Sequence, residues 1–164
     1  MTATMSFSNA PDEDLLGRVA GALAVDEAFI EKDWYVVQAI GSLTGLATNH
    51  LEPVFSGGTS LLKGYGLIRR FSEDIDFKLN LSEEFHDLSR NQRKTALRAF
   101  RDRVVTAWQE LGFTITASVP RDEHRFLELE MDYPSRISKR GPVAAVPFLA
   151  PSAPFNAIII KART

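Results

Sequence analysis

From Leu127 to Asp132 the chain alternates without a break, with Leu127, Leu129 and Met131 on one set of positions and Glu128, Glu130 and Asp132 on the other. A β-strand sorts that pattern into one apolar and one acidic face, because its side chains point to opposite sides in turn. Phe113 to Val119 is also strand-like, and the intervening Pro120-Arg121-Asp122-Glu123-His124 predicts an antiparallel hairpin. An apolar sheet face needs a core to cover it. A chain of 164 residues with 45% hydrophobic residues and eleven Phe can supply one, which excludes global disorder. At about 100 to 200 residues per domain, one domain is expected.

The cover is predicted upstream. Asp12 to Ala24 spaces Leu15, Leu16, Val19, Ala20 and Leu23 at helical intervals after an acidic start, and a second helix opens at Asp26 with a broad apolar face from Phe29 to Leu43. Gly41 and Gly45 weaken its end. Pro53-Val54-Phe55 reads as a short buried strand running into Gly57-Gly58-Thr59-Ser60, and a helix resumes at Leu61. Ile75 to Leu79 alternates as a second strand, and Ser82 followed by Glu83 and Glu84 signals a long helical region to about Leu111, ended by Gly112. Beyond Pro134 the chain is punctuated by Pro142, Pro147, Pro151 and Pro154 before the apolar run Ile158-Ile159-Ile160. This order of elements predicts an α+β fold with a mixed sheet flanked by helices. Residues 1–11 are expected to form a flexible arm, 12–135 the core, and 136–164 a poorly specified extension.

Composition narrows the chemistry. The chain has no cysteine, so disulfides, thiolate metal sites and cysteine nucleophiles are excluded. The histidines, His50, His86 and His124, are scattered, and any metal must be held mainly by oxygen, which favours a hard cation such as magnesium. The net charge of −2 hides a cluster of Arg90, Arg93, Lys94, Arg98, Arg101 and Arg103, which reads either as a solvated helix face or as a surface for a polyanion. No apolar run approaches the ~20 residues of a membrane span and no signal-peptide pattern opens the chain, so the expected location is the cytoplasm.

Two short stretches carry the chemistry. Asp74 and Asp76, one residue apart at the start of a strand, fall on the same face and can coordinate divalent cations together, a shared cation being a natural reason to keep both ionised. Glu73 falls on the other face. Upstream, Gly57 and Gly58 allow tight backbone geometry as the chain leaves a strand, and Thr59, Ser60 and the first amides of the next helix can meet a phosphate, with Lys63 adding a positive charge one turn on. Together these are the parts of a metal-assisted phosphoryl or nucleotidyl transfer site. Taken singly, each reads as an ordinary tight turn or a solvated strand end.

Gly57-Gly58-Thr59-Ser60-Leu61-Leu62-Lys63 with Arg70-Phe71-Ser72-Glu73-Asp74-Ile75-Asp76-Phe77 resembles the signature of the AbiEii/AbiGii-type nucleotidyltransferase toxins, within the DNA polymerase beta-like nucleotidyltransferase superfamily. Glu31-Lys32-Asp33-Trp34-Tyr35-Val36 is similar to the segment that precedes that signature, and Asp132-Tyr133-Pro134-Ser135 adds weaker support. The resemblance implies a toxin of a type IV-like toxin-antitoxin or phage-defence pair that uses magnesium and a nucleoside triphosphate to transfer a nucleotide to an RNA or protein hydroxyl, in some members to tRNA. It implies Asp74 and Asp76 as metal ligands and catalytic acids, and Gly57, Gly58, Thr59, Ser60 and Lys63 as the nucleotide-phosphate loop. Arg70 and Ser72 would brace the loop before the carboxylate strand. Lys32 and Asp33 read equally as an ion pair or as part of the site, and Trp34 and Tyr35 as core.

The superfamily's third carboxylate has candidates in Glu128, Glu130 and Asp132, of which Glu130 is taken as the metal ligand; the same acids also read as the solvent side of an amphipathic sheet. The resemblance places the third acid on a strand after the Tyr-Pro-Ser segment, where Ile158-Ile159-Ile160-Lys161 carries a lysine. It also implies a further helical half, so the chain is expected to be truncated, with 136–164 the start of that half. Two other readings stay open: a catalytically inactive nucleotide- or RNA-binding module, and a structural partner whose basic helix binds RNA or an antitoxin.

Overall fold

Local chemistry starts and stops the elements. In the computed structural model, which describes residues 9–56, 75–121, 126–137, 155–156 and 159–162, Asp12 opens helix α1 (Glu13–Leu23) by accepting from the Leu15 amide at 2.8 Å, and Asp26 opens α2 (Glu27–Leu43) by accepting from Ala28 at 2.8 Å. Each acid satisfies one of the amides left without a partner at a helix start. The long helical region comes as two helices, α3 (Glu83–Asp87) and α4 (Arg90–Leu111), rather than one. Ser89 forms a full capping box with Gln92, and Leu88 before it is extended, so a second start signal interrupts the helix that Ser82 begins. Gly112 ends α4 at φ 111°, a conformation that suits glycine.

The strands are β1 (Leu51–Ser56), β2 (Asp76–Leu81), β3 (Thr114–Arg121), β4 (Phe126–Asp132), β5 (Phe155–Asn156) and β6 (Ile159–Ala162). They form one mixed sheet in the order β1-β2-β6-β4-β3, with β5 alongside β4. All neighbouring pairs are antiparallel except β2 with β6. The expected hairpin is present as β3 and β4, but β3 runs on through Pro120 and Arg121, which stand opposite Leu127 and Phe126. Pro120 and Pro53 are tolerated because β3 and β1 are the two edges of the order, where a strand can lack an amide donor. The sheet draws on residues beyond 136, since β6 lies between β2 and β4.

One face of this sheet is covered. Phe77 and Leu79 of β2, Leu127, Leu129 and Met131 of β4, Tyr35, Val36, Ala39 and Leu43 of α2, and Leu97, Phe100, Val104 and Trp108 of α4 form a single buried cluster. Trp108, fully buried, donates its indole N–H to the Ala39 carbonyl at 3.3 Å and ties the two helices together. No helix among the described residues is long and apolar enough to cross a membrane. Residues 1–8 of the expected arm, the helix expected from Leu61 and the hairpin turn at 122–125 lie outside the described residues.

Candidate functional site

The first test of the predicted site is whether the glycine turn and the aspartate strand meet. β1 ends at Ser56 and β2 begins at Asp76, and in their antiparallel register these two residues stand opposite each other. The Ser56 hydroxyl donates to the Asp76 carbonyl at 3.4 Å. The chain therefore leaves β1 toward Gly57 and enters β2 from Asp74 at one end of the sheet, on adjacent strands. Gly57, Gly58, Thr59, Ser60, Lys63, Arg70, Ser72, Glu73 and Asp74 themselves lie outside the described residues.

Asp76 is on the face away from the helices. Ile75, Phe77 and Leu79 are buried in the core, so by strand alternation Asp76, Lys78 and Asn80 belong to the opposite face. Leu127, Leu129 and Met131 are buried in the same core, which puts Glu128, Glu130 and Asp132 on the face of Asp76. Glu128 and Glu130 are half-buried and Asp132 is exposed.

Register sets the distance between these acids. Ile160 stands opposite both Phe77 of β2 and Leu127 of β4, so Glu128 lies close to the level of Asp76, two strand spacings or about 10 Å away. Glu130 is two residues further along β4, opposite Asn156. The strand between them offers no carboxylate: Ile159 is opposite Asp76, and Lys161 is opposite Lys78. Among the described residues no group of three His, Asp or Glu side chains comes together to hold a metal ion. Asp76 offers the kind of oxygen donor that a hard cation takes.

The third sequence block arrives at the same end. β4 runs opposite to β2 and so finishes, at Asp132, at the end where β2 begins, and the first half of α2 is tied there because Glu31 bonds residues 135 and 136. Glu31, in the first half of α2, is 2% exposed and is the one buried charged residue in the described structure. Its carboxylate accepts from the Ser135 hydroxyl at 2.6 Å and from the Arg136 amide at 2.7 Å. One turn on, Tyr35 donates its hydroxyl to the Pro134 carbonyl at 3.1 Å and stacks on Tyr133 with ring centroids 4.3 Å apart. The Glu-Lys-Asp segment and the Tyr-Pro-Ser segment are thus parts of one contact. Burial, and then the Glu31 carboxylate, hold both tyrosine hydroxyls above the usual phenol range, with Arg136 pulling Tyr35 partly back.

Sequence reasoning put the weight on Lys32 and Asp33, which are half-buried, and passed over Glu31. The signal was available: Glu31, Tyr35, Ala39 and Leu43 recur every four residues, so an acid sits in the apolar register of α2. The same segment borders a cavity of about 460 Å³ lined by Ala10, Asp12, Glu13, Tyr35, Pro134, Ser135 and Arg136.

The basic cluster lies elsewhere. Leu97, Phe100, Val104, Trp108 and Leu111 turn α4 toward the core, leaving Arg90, Lys94, Arg98 and Arg103 exposed and Arg101 paired with the adjacent Asp102 at 2.6 Å. That row is on the helix side of the sheet, opposite the face of Asp76, and its exposure is what a solvated face and a polyanion surface would share.

A family model described as nucleotidyl transferase AbiEii toxin, type IV TA system, matches residues 43–148, from the end of α2 past the end of β4. No curated protein and no solved structure gives a significant match.

Proposed function

From the premise that the chain belongs to the AbiEii family of nucleotidyltransferase toxins of type IV toxin-antitoxin systems, we propose that it transfers a nucleotide from a nucleoside triphosphate to a hydroxyl of RNA or protein at the sheet end marked by Asp76. The observation that supports this reading is the Ser56–Asp76 pair: the residue before Gly57 and the second aspartate of the pair stand opposite each other on neighbouring strands although 20 positions separate them in the chain.

In this reading Asp74 and Asp76 hold magnesium, with Glu130 of β4 as the third donor and Glu128 as the acid closer to their level. Magnesium supplies charge neutralisation along the triphosphate and makes an attached hydroxyl more acidic. The amides and hydroxyls of Gly57 to Ser60 grip the outer phosphates, and Lys63 adds positive charge to them. The acceptor oxygen forms a bond to the α-phosphorus as the bond to pyrophosphate breaks; the hydroxyl proton passes to a β4 carboxylate, and pyrophosphate leaves. An antitoxin is the partner that the family description suggests.

The experiment is transfer of labelled nucleotide from each of the four triphosphates to total RNA and protein, with and without magnesium. Transfer that needs magnesium and disappears in Asp76→Ala, with circular dichroism unchanged, is the expected outcome; retained transfer in Asp76→Ala refutes the assignment. A second reading, an inactive nucleotide-binding module, is favoured by one observation: β6 presents no acid beside Asp76. Magnesium-dependent triphosphate binding without transfer to any acceptor selects it.

A further inference from the structure

Glu31 does more than a turn requires. A buried carboxylate is costly unless fully hydrogen-bonded, and a neutral amide could accept from one donor here without that cost. Glu31 nonetheless takes two short, charge-assisted bonds from residues 104 and 105 positions away. With Tyr35 it holds four consecutive residues: Tyr133 by stacking, Pro134 by its carbonyl, Ser135 by its hydroxyl and Arg136 by its amide. Those four follow directly on Asp132, the last residue of the strand that carries the acidic row. β4 is two strands from Asp76, and β6 between them pairs with β4 only at Phe126 and Leu127; the far end of β4 is held by β3, by β5 and by the residues that follow Asp132, so an anchor there contributes to the separation between the β4 acids and Asp76.

We propose that Glu31 is a positioning residue for the candidate metal site: by clamping Ser135 and Arg136 to α2 it fixes the end of β4, and with it the β4 acids, relative to Asp76. The proposal rests on the reading of that sheet end as a metal-dependent site, and it adds to that reading a residue that touches neither metal nor nucleotide.

The test uses manganese alone as the probe, with affinity read by electron paramagnetic resonance on the full chain, alongside hydrogen exchange over residues 126–137. In Glu31→Ala the amides at the end of β4 exchange faster and manganese affinity falls about tenfold, the size typical of losing an outer support of a metal ligand. Glu31→Gln restores affinity, because its oxygen can accept from the Arg136 amide and its nitrogen can donate to the Ser135 oxygen. Wild-type affinity in Glu31→Ala with the end of β4 exchanging faster overturns the proposal, since the clamp is then open and positions nothing. Weakened affinity without faster exchange overturns it too. If Glu31→Ala does not fold, Ser135→Ala, which removes one donor, carries the same comparison under the same criteria. Asp76→Ala separates the two levels: if it leaves manganese affinity unchanged, the site reading itself fails, whereas a loss in Asp76→Ala with none in an opened clamp rejects Glu31 alone.

Discussion

Tyr133 and Tyr35 show how one buried carboxylate sets the behaviour of its neighbours. Both phenols lie in an environment that penalises their ionised form, first by burial and then by Glu31. A phenol whose folded pKa is raised contributes its full stability below the unfolded value of about 10 and loses it as pH climbs above that value, because the unfolded chain then releases the proton more readily. Denaturant midpoints measured from neutral pH to pH 11 should therefore fall above about pH 10, and the fall should be smaller in Tyr133→Phe, which has no proton to release. A midpoint slope that Tyr133→Phe leaves unchanged would remove Tyr133 from the account. At this scale the sequence is informative about residue type and incomplete about partner. The acid at 31 stands visibly in an apolar register, but nothing within a few residues of it supplies the donors that make its burial tolerable.

The elements follow local rules closely, and their departures from expectation have local causes. Asp12, Asp26, Ser82 and Ser89 all accept from amides at helix starts, and Gly112 stops α4 in a left-handed conformation. The long helical region expected from Ser82 onward divides at Leu88 because Ser89 and Gln92 offer the backbone a second, reciprocal set of bonds. Ser89→Ala removes one of the two bonds and should cost about 1 kcal/mol in chemical denaturation; a change confined to a few tenths would mean that packing of Leu97 and Phe100 alone holds the start of α4. The two strand prolines make the complementary point. Pro53 and Pro120 would argue against strands in the centre of a sheet, yet both β1 and β3 form, because each is an edge. Edge or centre is not written in either segment.

At the scale of the whole molecule, β6 decides the architecture. Ile160 faces Phe77 on one side and Leu127 on the other, and this short strand joins the β1–β2 pair to the β3–β4 hairpin. Ile160 is paired on both sides, so Ile160→Pro should abolish cooperative thermal unfolding, followed by circular dichroism, whereas the native prolines of the edges are tolerated. Cooperative unfolding in that variant would show that the two halves of the sheet hold together without β6. Local periodicity alone determined the α+β class, the caps, the acidic and apolar faces of β4 and the Asp-x-Asp strand start, since each depends on residues a few positions apart. Only the tertiary structure decided that the run from Ile159 to Ala162 enters the middle of the sheet, that Asp76 and the β4 acids share a face with a carboxylate-free strand between them, and that Glu31 meets Ser135 and Arg136. Those are pairings between segments up to about a hundred residues apart, selected by which apolar faces can be buried together, and no local pattern encodes that choice.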